Sequence, residues 1–188
     1  MRDRRVAESR RALHGAIVEL TLQHGWDRVT VHDVCRRAGV GRSTFYKHFA
    51  DKEDLLIGGL DDVRDGLLAH ASGRAFGFLP GLLAHVDESR RLFRAVIGKH
   101  SGLAVQRRFR AVTLDLVTAE LARLSIDDDL LARFLTGALV ELLVWWVDTR
   151  TNITAAALAA DFEARAKRLI ADTRRTAVPK RGRRIAAR

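Results

Sequence analysis

A chain of 188 residues, nearly half of them hydrophobic, can bury a core as one ordinary domain or as a small domain joined to a larger one. Its single cysteine excludes an internal disulfide and a paired-thiol metal site, and no uninterrupted apolar run approaches the roughly 18 residues that cross a bilayer. The net charge of +10 is lopsided: residues 1–60 hold 11 Lys/Arg against 8 Asp/Glu, residues 61–173 hold 15 of each, and residues 174–188 hold 7 cations and no acid.

Ala, Leu and Arg dominate and only two prolines occur, so the elements read as helices throughout, an all-α chain. The first helix is predicted over Arg5–His24, with Leu13, Ala16, Ile17 and Leu20 forming an inward stripe and Gly25 ending it. Thr30 caps a short second helix, with Asp33 supplying the reciprocal arm of a capping box and Gly39 stopping it. A third helix over Arg42–Phe49 follows after one tight turn, and Asp51 caps a fourth that runs to about His70. The stretch SGRAFGFLPG reads as a loop or broken helix, followed by short helices near Leu82–Val86 and Glu88–Lys99. A long helix over Leu103–Leu124 precedes SIDDD, where Ser125 is the expected cap with Asp128 at its third position. The helix over Leu130–Asp148 is apolar on most sides, and an amphipathic helix from Thr154 to about Thr173 closes the fold.

Two short helices across a glycine turn, with long helices on either side, form a helix-turn-helix. Cys35 is small where the pair comes closest, and Val40, Phe45 and Phe49 pin the second helix down. Arg42, Ser43, Thr44, Tyr46, Lys47 and His48 are left outside. A face meant only for water rarely gathers an aromatic ring, two hydroxyls and three basic groups, whereas a duplex uses each of them. Arg42 reaches guanine edges, Thr44 meets a phosphate or a thymine methyl, and Tyr46 and His48 hold phosphates. Lys52 adds a cation in the first turn of the fourth helix, where exposed N–H groups already favour an anion.

From about Arg10 to Leu56 the chain resembles the N-terminal domain of the TetR family of bacterial transcriptional regulators. The residues that carry the resemblance are Gly25, Thr30, Val34, Ala38-Gly39-Val40, Thr44-Phe45-Tyr46, His48-Phe49, Lys52-Glu53 and Leu55-Leu56. The resemblance implies a homodimer on a palindromic operator, usually a repressor, released when a small molecule enters a helical C-terminal domain and moves the fourth helix. Carried over residue by residue, the DNA contacts are Thr30, Arg42, Ser43, Thr44, Tyr46, Lys47, His48 and Lys52. The domains expected are 1–50 for DNA binding, 51–173 for regulation and dimerisation with closing helices at about 126–148 and 154–173, and a basic, flexible tail at 174–188. Dimerisation is expected through the last two helices, with Trp145 or Trp146 at the partner. Two positions depart from the family: Gly41 stands where a capping serine is usual, and Thr21 where an apolar or aromatic residue is usual. Arg2, Arg4 and Arg5 resemble arms that enter a minor groove in some members.

The remaining apolar residues, among them Leu67, Leu68, Phe76, Phe78, Phe93 and Phe109, are core first and pocket second, so the default effector is apolar or aromatic. His85 and His100 can orient such a molecule, although packed or solvated histidines are commoner. No metal-ligand spacing, phosphate loop, nucleophile elbow or carboxylate pair is present, which predicts no metal, no cofactor and no enzyme. The N-terminal cations are followed by no apolar signal core, so a cytoplasmic protein without a membrane partner is expected. The rival functions are a sequence-tolerant DNA-coating protein driven by the basic tail, and a regulator that activates or lacks an effector.

Overall fold

The computed structural model describes residues 2–69, 73–97, 103–149 and 151–176, and His100, the expected helix ends at His70 and Lys99, and the tail beyond residue 176 lie outside them. The described residues form nine α-helices and one 3₁₀ turn, with no strand. In chain order these are α1 (Arg2–His24), the 3₁₀ turn (Trp26–Arg28), α2 (Val31–Ala38), α3 (Arg42–Tyr46), α4 (Lys52–Ala69), α5 (Leu79–Glu88), α6 (Arg90–Ile97), α7 (Leu103–Arg123), α8 (Asp129–Asp148) and α9 (Ala155–Thr176).

The first three helices and the start of α4 close around Leu13, Ile17, Val34, Phe45 and Leu55, each fully buried. The stripe on α1 packs as its spacing requires, against α2 on one side and α4 on the other. The contact with α4 is close: a Cβ on Gly59 would stand 3.3 Å from the His14 ring. The 3₁₀ turn was not foreseen. It follows Gly25, whose φ of 80° suits only glycine, and it folds the Trp26 indole into the core. α1 starts at Arg2, so Arg2, Arg4 and Arg5 are its first residues instead of an extended arm.

Two predicted boundaries shift for local reasons. α3 ends at Tyr46 and not at Phe49, because the chain must turn into α4, where the Asp54 N–H donates to Asp51 and the Ala50 N–H donates to Asp54. The cap of α8 is Asp128, which accepts from the Leu131 N–H at 3.0 Å, and not Ser125. Ser125 instead takes a left-handed conformation (φ 59°) that ends α7, with the Ile126 N–H donating to the Leu121 carbonyl.

Beyond the N-terminal helices, α4 packs on α7, α5 on α9, and α7 on α8. Within the SGRAFGFLPG stretch residues 73–78 bend and turn, burying Phe76 and Phe78, and Leu79, Pro80 and Gly81 open α5. α5 extends further at both ends than Leu82–Val86, and α6 starts at Arg90, two residues after the expected Glu88. α6 sits against α1 and α8 together. Its Arg90 donates to the carbonyls of Trp146 and Thr149, and its Arg94 donates to Val147 from two nitrogens, so both grip the carbonyl end of α8.

α8 divides its apolar residues between two sides. Leu131, Leu135, Leu139, Leu143 and Trp146 are buried, whereas Leu130, Phe134 and Trp145 are 79%, 64% and 39% exposed. Interrupted by Arg133 and Glu141, this helix still has the length and mean hydropathy (1.7) of a membrane span, more than the sequence reading allowed; half of that window is buried within the chain.

Candidate nucleic-acid interface

The interface begins with two turns that the sequence encodes locally. Thr30 and Asp33 form a full capping box: the Asp33 N–H donates to the Thr30 hydroxyl at 3.2 Å, and the Thr30 N–H donates back to the Asp33 carboxylate at 3.3 Å. The Thr30 hydroxyl also donates to Asp33 at 2.6 Å, and that bond is the main reason the Asp33 carboxyl titrates below its ordinary value. At the other end Gly39 is left-handed (φ 64°), and the Val40 N–H donates to the Cys35 carbonyl at 3.0 Å. This paired closure turns the chain so that α3 starts after three residues.

Phe45 and Phe49 then hold α3 from below, at 0% and 4% exposure. What remains above is the set expected from the sequence. Arg42, Ser43, Tyr46 and Lys47 are exposed, and Thr44 and His48 are half-buried. Tyr46 stands edge-on to Phe45, with ring centres 5.3 Å apart, so its phenol projects at a fixed angle. Among the described residues, the side chains of Arg42, Ser43, Thr44 and Lys47 and the Tyr46 hydroxyl have no hydrogen-bond partner within the chain. These are donors held on a rigid base and left open to another molecule. Gly41, at the start of α3, provides no side-chain cap, in keeping with the departure noted above.

Two residues of the predicted set carry structural work as well. The Thr30 hydroxyl is engaged in its capping box. Lys52 reaches under the turn, where its Nζ donates to the carbonyls of Trp26 at 2.9 Å and Val29 at 3.0 Å and lies over the Trp26 ring. An ammonium has three protons, so one is left for an outside acceptor.

Sequence reasoning missed the braces behind this surface. Arg37 of α2 forms a two-pronged bond with Glu19 of α1, from its Nε at 2.8 Å and from Nη2. That hydrogen bond is the first cause holding the Glu19 carboxyl below its ordinary value. The buried Cys35 thiol, between the helices, is pushed up by burial, which disfavours its thiolate. Thr21 is 1% exposed, and its hydroxyl finds no partner among the described residues, so the departure at this position leaves a buried polar atom.

A braced helix pair that offers one rigid polar face beside a separate helical bundle defines a helix-turn-helix, DNA-binding transcriptional regulator. Residues 14–58 match the family model of bacterial regulatory proteins of the tetR family, and residues 75–167 match a transcriptional regulator C-terminal region. The chain belongs to the TetR family of transcriptional regulators. It is 40% identical over 55 residues to an uncharacterized HTH-type transcriptional regulator, YxbF, of Bacillus subtilis, covering 29% of this chain and 14% of that protein. It is 29% identical over 153 residues to the HTH-type transcriptional regulator AlkX of Mycobacterium tuberculosis, covering 70% of this chain and 71% of that one. The structure resembles that of a TetR transcriptional regulator from Streptococcus agalactiae, with a TM-score of 0.66 and 26% identity over 88% of this chain and 97% of that chain. The chain thus spans only a small part of the first of these curated relatives.

Proposed function

We propose that this protein is a cytoplasmic repressor that binds a palindromic operator as a homodimer and is released by a small-molecule effector. The observation that carries the DNA reading is the unpartnered polar face of α3 on its buried Phe45 and Phe49. Arg42 reads a base edge, while Ser43, Thr44, Tyr46, Lys47 and His48, with Thr30 and the remaining proton of Lys52, hold the backbone in register.

The division of labour follows the chain: residues 1–50 bind DNA, the helices from residue 51 to the end of α9 sense and dimerise, and the basic residues after α9 add sequence-independent attraction; the tail starts there and not at residue 174, because Arg174 lies in α9 and donates to the Leu124 carbonyl. The dimer reading rests on Leu130, Phe134 and Trp145, which α8 exposes although they are among its largest apolar side chains. Repression is the usual mode of the family. The structure of a dihydroxyacetone kinase operon activator, DhaS, and that of NalD, a secondary repressor of an efflux pump in Pseudomonas aeruginosa, share the fold at 18% and 20% identity, so the sign of regulation is read by transcription in vitro.

Selection of bound duplexes from a random pool tests the DNA reading. The expected product is an inverted repeat whose half-sites lie about one duplex turn (roughly 34 Å) or a multiple apart. A pool that stays random after several rounds contradicts it.

A further inference from the structure

We propose that the cavity between α6, α7 and α8 binds a small amphipathic carboxylate. This deepens the effector reading, and it depends on that reading only for its consequence on DNA. The cavity holds about 310 Å³, at the lower end of small-molecule sites (about 300–1,000 Å³). Ile97 from α6, Phe109 from α7 and Val140 and Val144 from α8 give it an apolar wall. Arg107 and Arg110, three apart on α7 and so on neighbouring sides of the helix, give it a cationic rim.

The two positive charges at this rim are not used by the described residues. Neither arginine has a hydrogen bond or ion pair among the described residues, unlike Arg37, Arg74, Arg90, Arg94 and Arg123. Glu141 lines the same cavity and pairs with neither of them. Among the described residues that line it, two guanidiniums and one carboxylate leave a single positive charge, which suits a single negative one better than the double charge of a phosphate monoester. A guanidinium fork matches the two oxygens of a carboxylate, and the apolar wall takes a short hydrocarbon body. A neutral or cationic molecule of the same shape has the wall but no partner for the rim.

The place matters as well as the chemistry. Ile97 is the last residue of α6, the helix whose Arg90 and Arg94 grip the end of α8. The same helix shares a groove with α1, lined by Thr21, Leu22, Arg91, Arg94 and Ala95. A molecule wedged beside Ile97 therefore acts on the element that joins the sensing helices to the first helix of the reading head.

Calorimetric titration of the full-length protein with octanoate, octanamide and octylammonium tests the proposal. Octanoate is expected to saturate at one molecule per chain and to bind about tenfold or more tighter than either analogue. Arg107→Gln and Arg110→Gln should each weaken octanoate about tenfold and leave octanamide unchanged, since both side chains are exposed and their loss does not unfold the helix. The double change Arg107→Glu with Arg110→Glu should turn the preference toward octylammonium. Equal affinity for the three probes, or no saturable octanoate binding by a protein with native circular dichroism, overturns the proposal. The same probes are added to the protein bound to its selected duplex. Octanoate that binds without displacing DNA upholds the site and contradicts its effector role; displacement by octanamide alone upholds an effector and overturns the carboxylate.

Discussion

Lys52 is both a brace of the fold and a proposed DNA contact. Its ammonium ties the carbonyls of Trp26 and Val29 to the start of α4, and these two bonds leave one of its three protons unused. Lys52→Ala should therefore lower stability by about 1–2 kcal/mol in urea unfolding and weaken binding to every DNA sequence alike. Arg42→Ala removes an unpartnered, exposed side chain, so stability should change by less than about 0.5 kcal/mol. Its effect should appear as relaxed preference at one half-site position in a repeat of the selection. Tyr46→Phe, which loses only the hydroxyl, should weaken all sequences evenly. On α9, Glu163 is 8% exposed and accepts from Lys167 at 2.6 Å and Arg74 at 2.8 Å. These bonds, Lys167's first, hold its carboxyl below the ordinary value. A carboxylate whose folded value is depressed adds stability above its unfolded value, and that stability is lost as pH falls through the folded one. Glu163→Gln should accordingly lower the melting temperature at neutral pH and leave it unchanged in acid below the carboxylate range.

At the scale of elements, what the sequence made legible is what neighbours in the chain decide. The capping box of Thr30 and Asp33, the left-handed Gly39 and the apolar stripe on α1 depend on residues a few positions apart, and all of them appear in the structure. The outward set on α3 follows from the same spacing. The features that stayed hidden are set by distant partners. The 3₁₀ turn is held by Lys52, 23 to 26 residues further along, and the grip of α6 on α8 joins residues more than 50 apart. The early end of α3 reflects the capture of the backbone by Asp51 and Asp54, a competition that periodicity does not register. A test belongs here too. Gly39→Ala places a Cβ on a left-handed residue, although no atom stands within 4 Å of it. The cost should thus be purely conformational, about 1 kcal/mol, and the melting temperature should fall without a change in the DNA sequence selected.

For the whole molecule the account requires two reading heads at a fixed separation, hence a second copy of the chain. The exposed apolar side of α8 is where that copy is expected, and a charge there opposes burial. Phe134→Lys combined with Trp145→Lys should give a monomer in sedimentation velocity with unchanged helix content, and it should lose selective DNA binding. The basic residues past Arg175 act differently: their attraction to phosphates is salt-dependent and blind to sequence. One measurement separates the two contributions most directly. It compares affinity for the selected duplex with affinity for a scrambled duplex of equal length, at one salt concentration, for the full chain and for a chain ending at residue 176, where α9 ends. The account predicts a ratio of about 1,000 or more, unchanged by the truncation even as both affinities fall. A ratio near one, or a ratio that disappears with the tail, would contradict it.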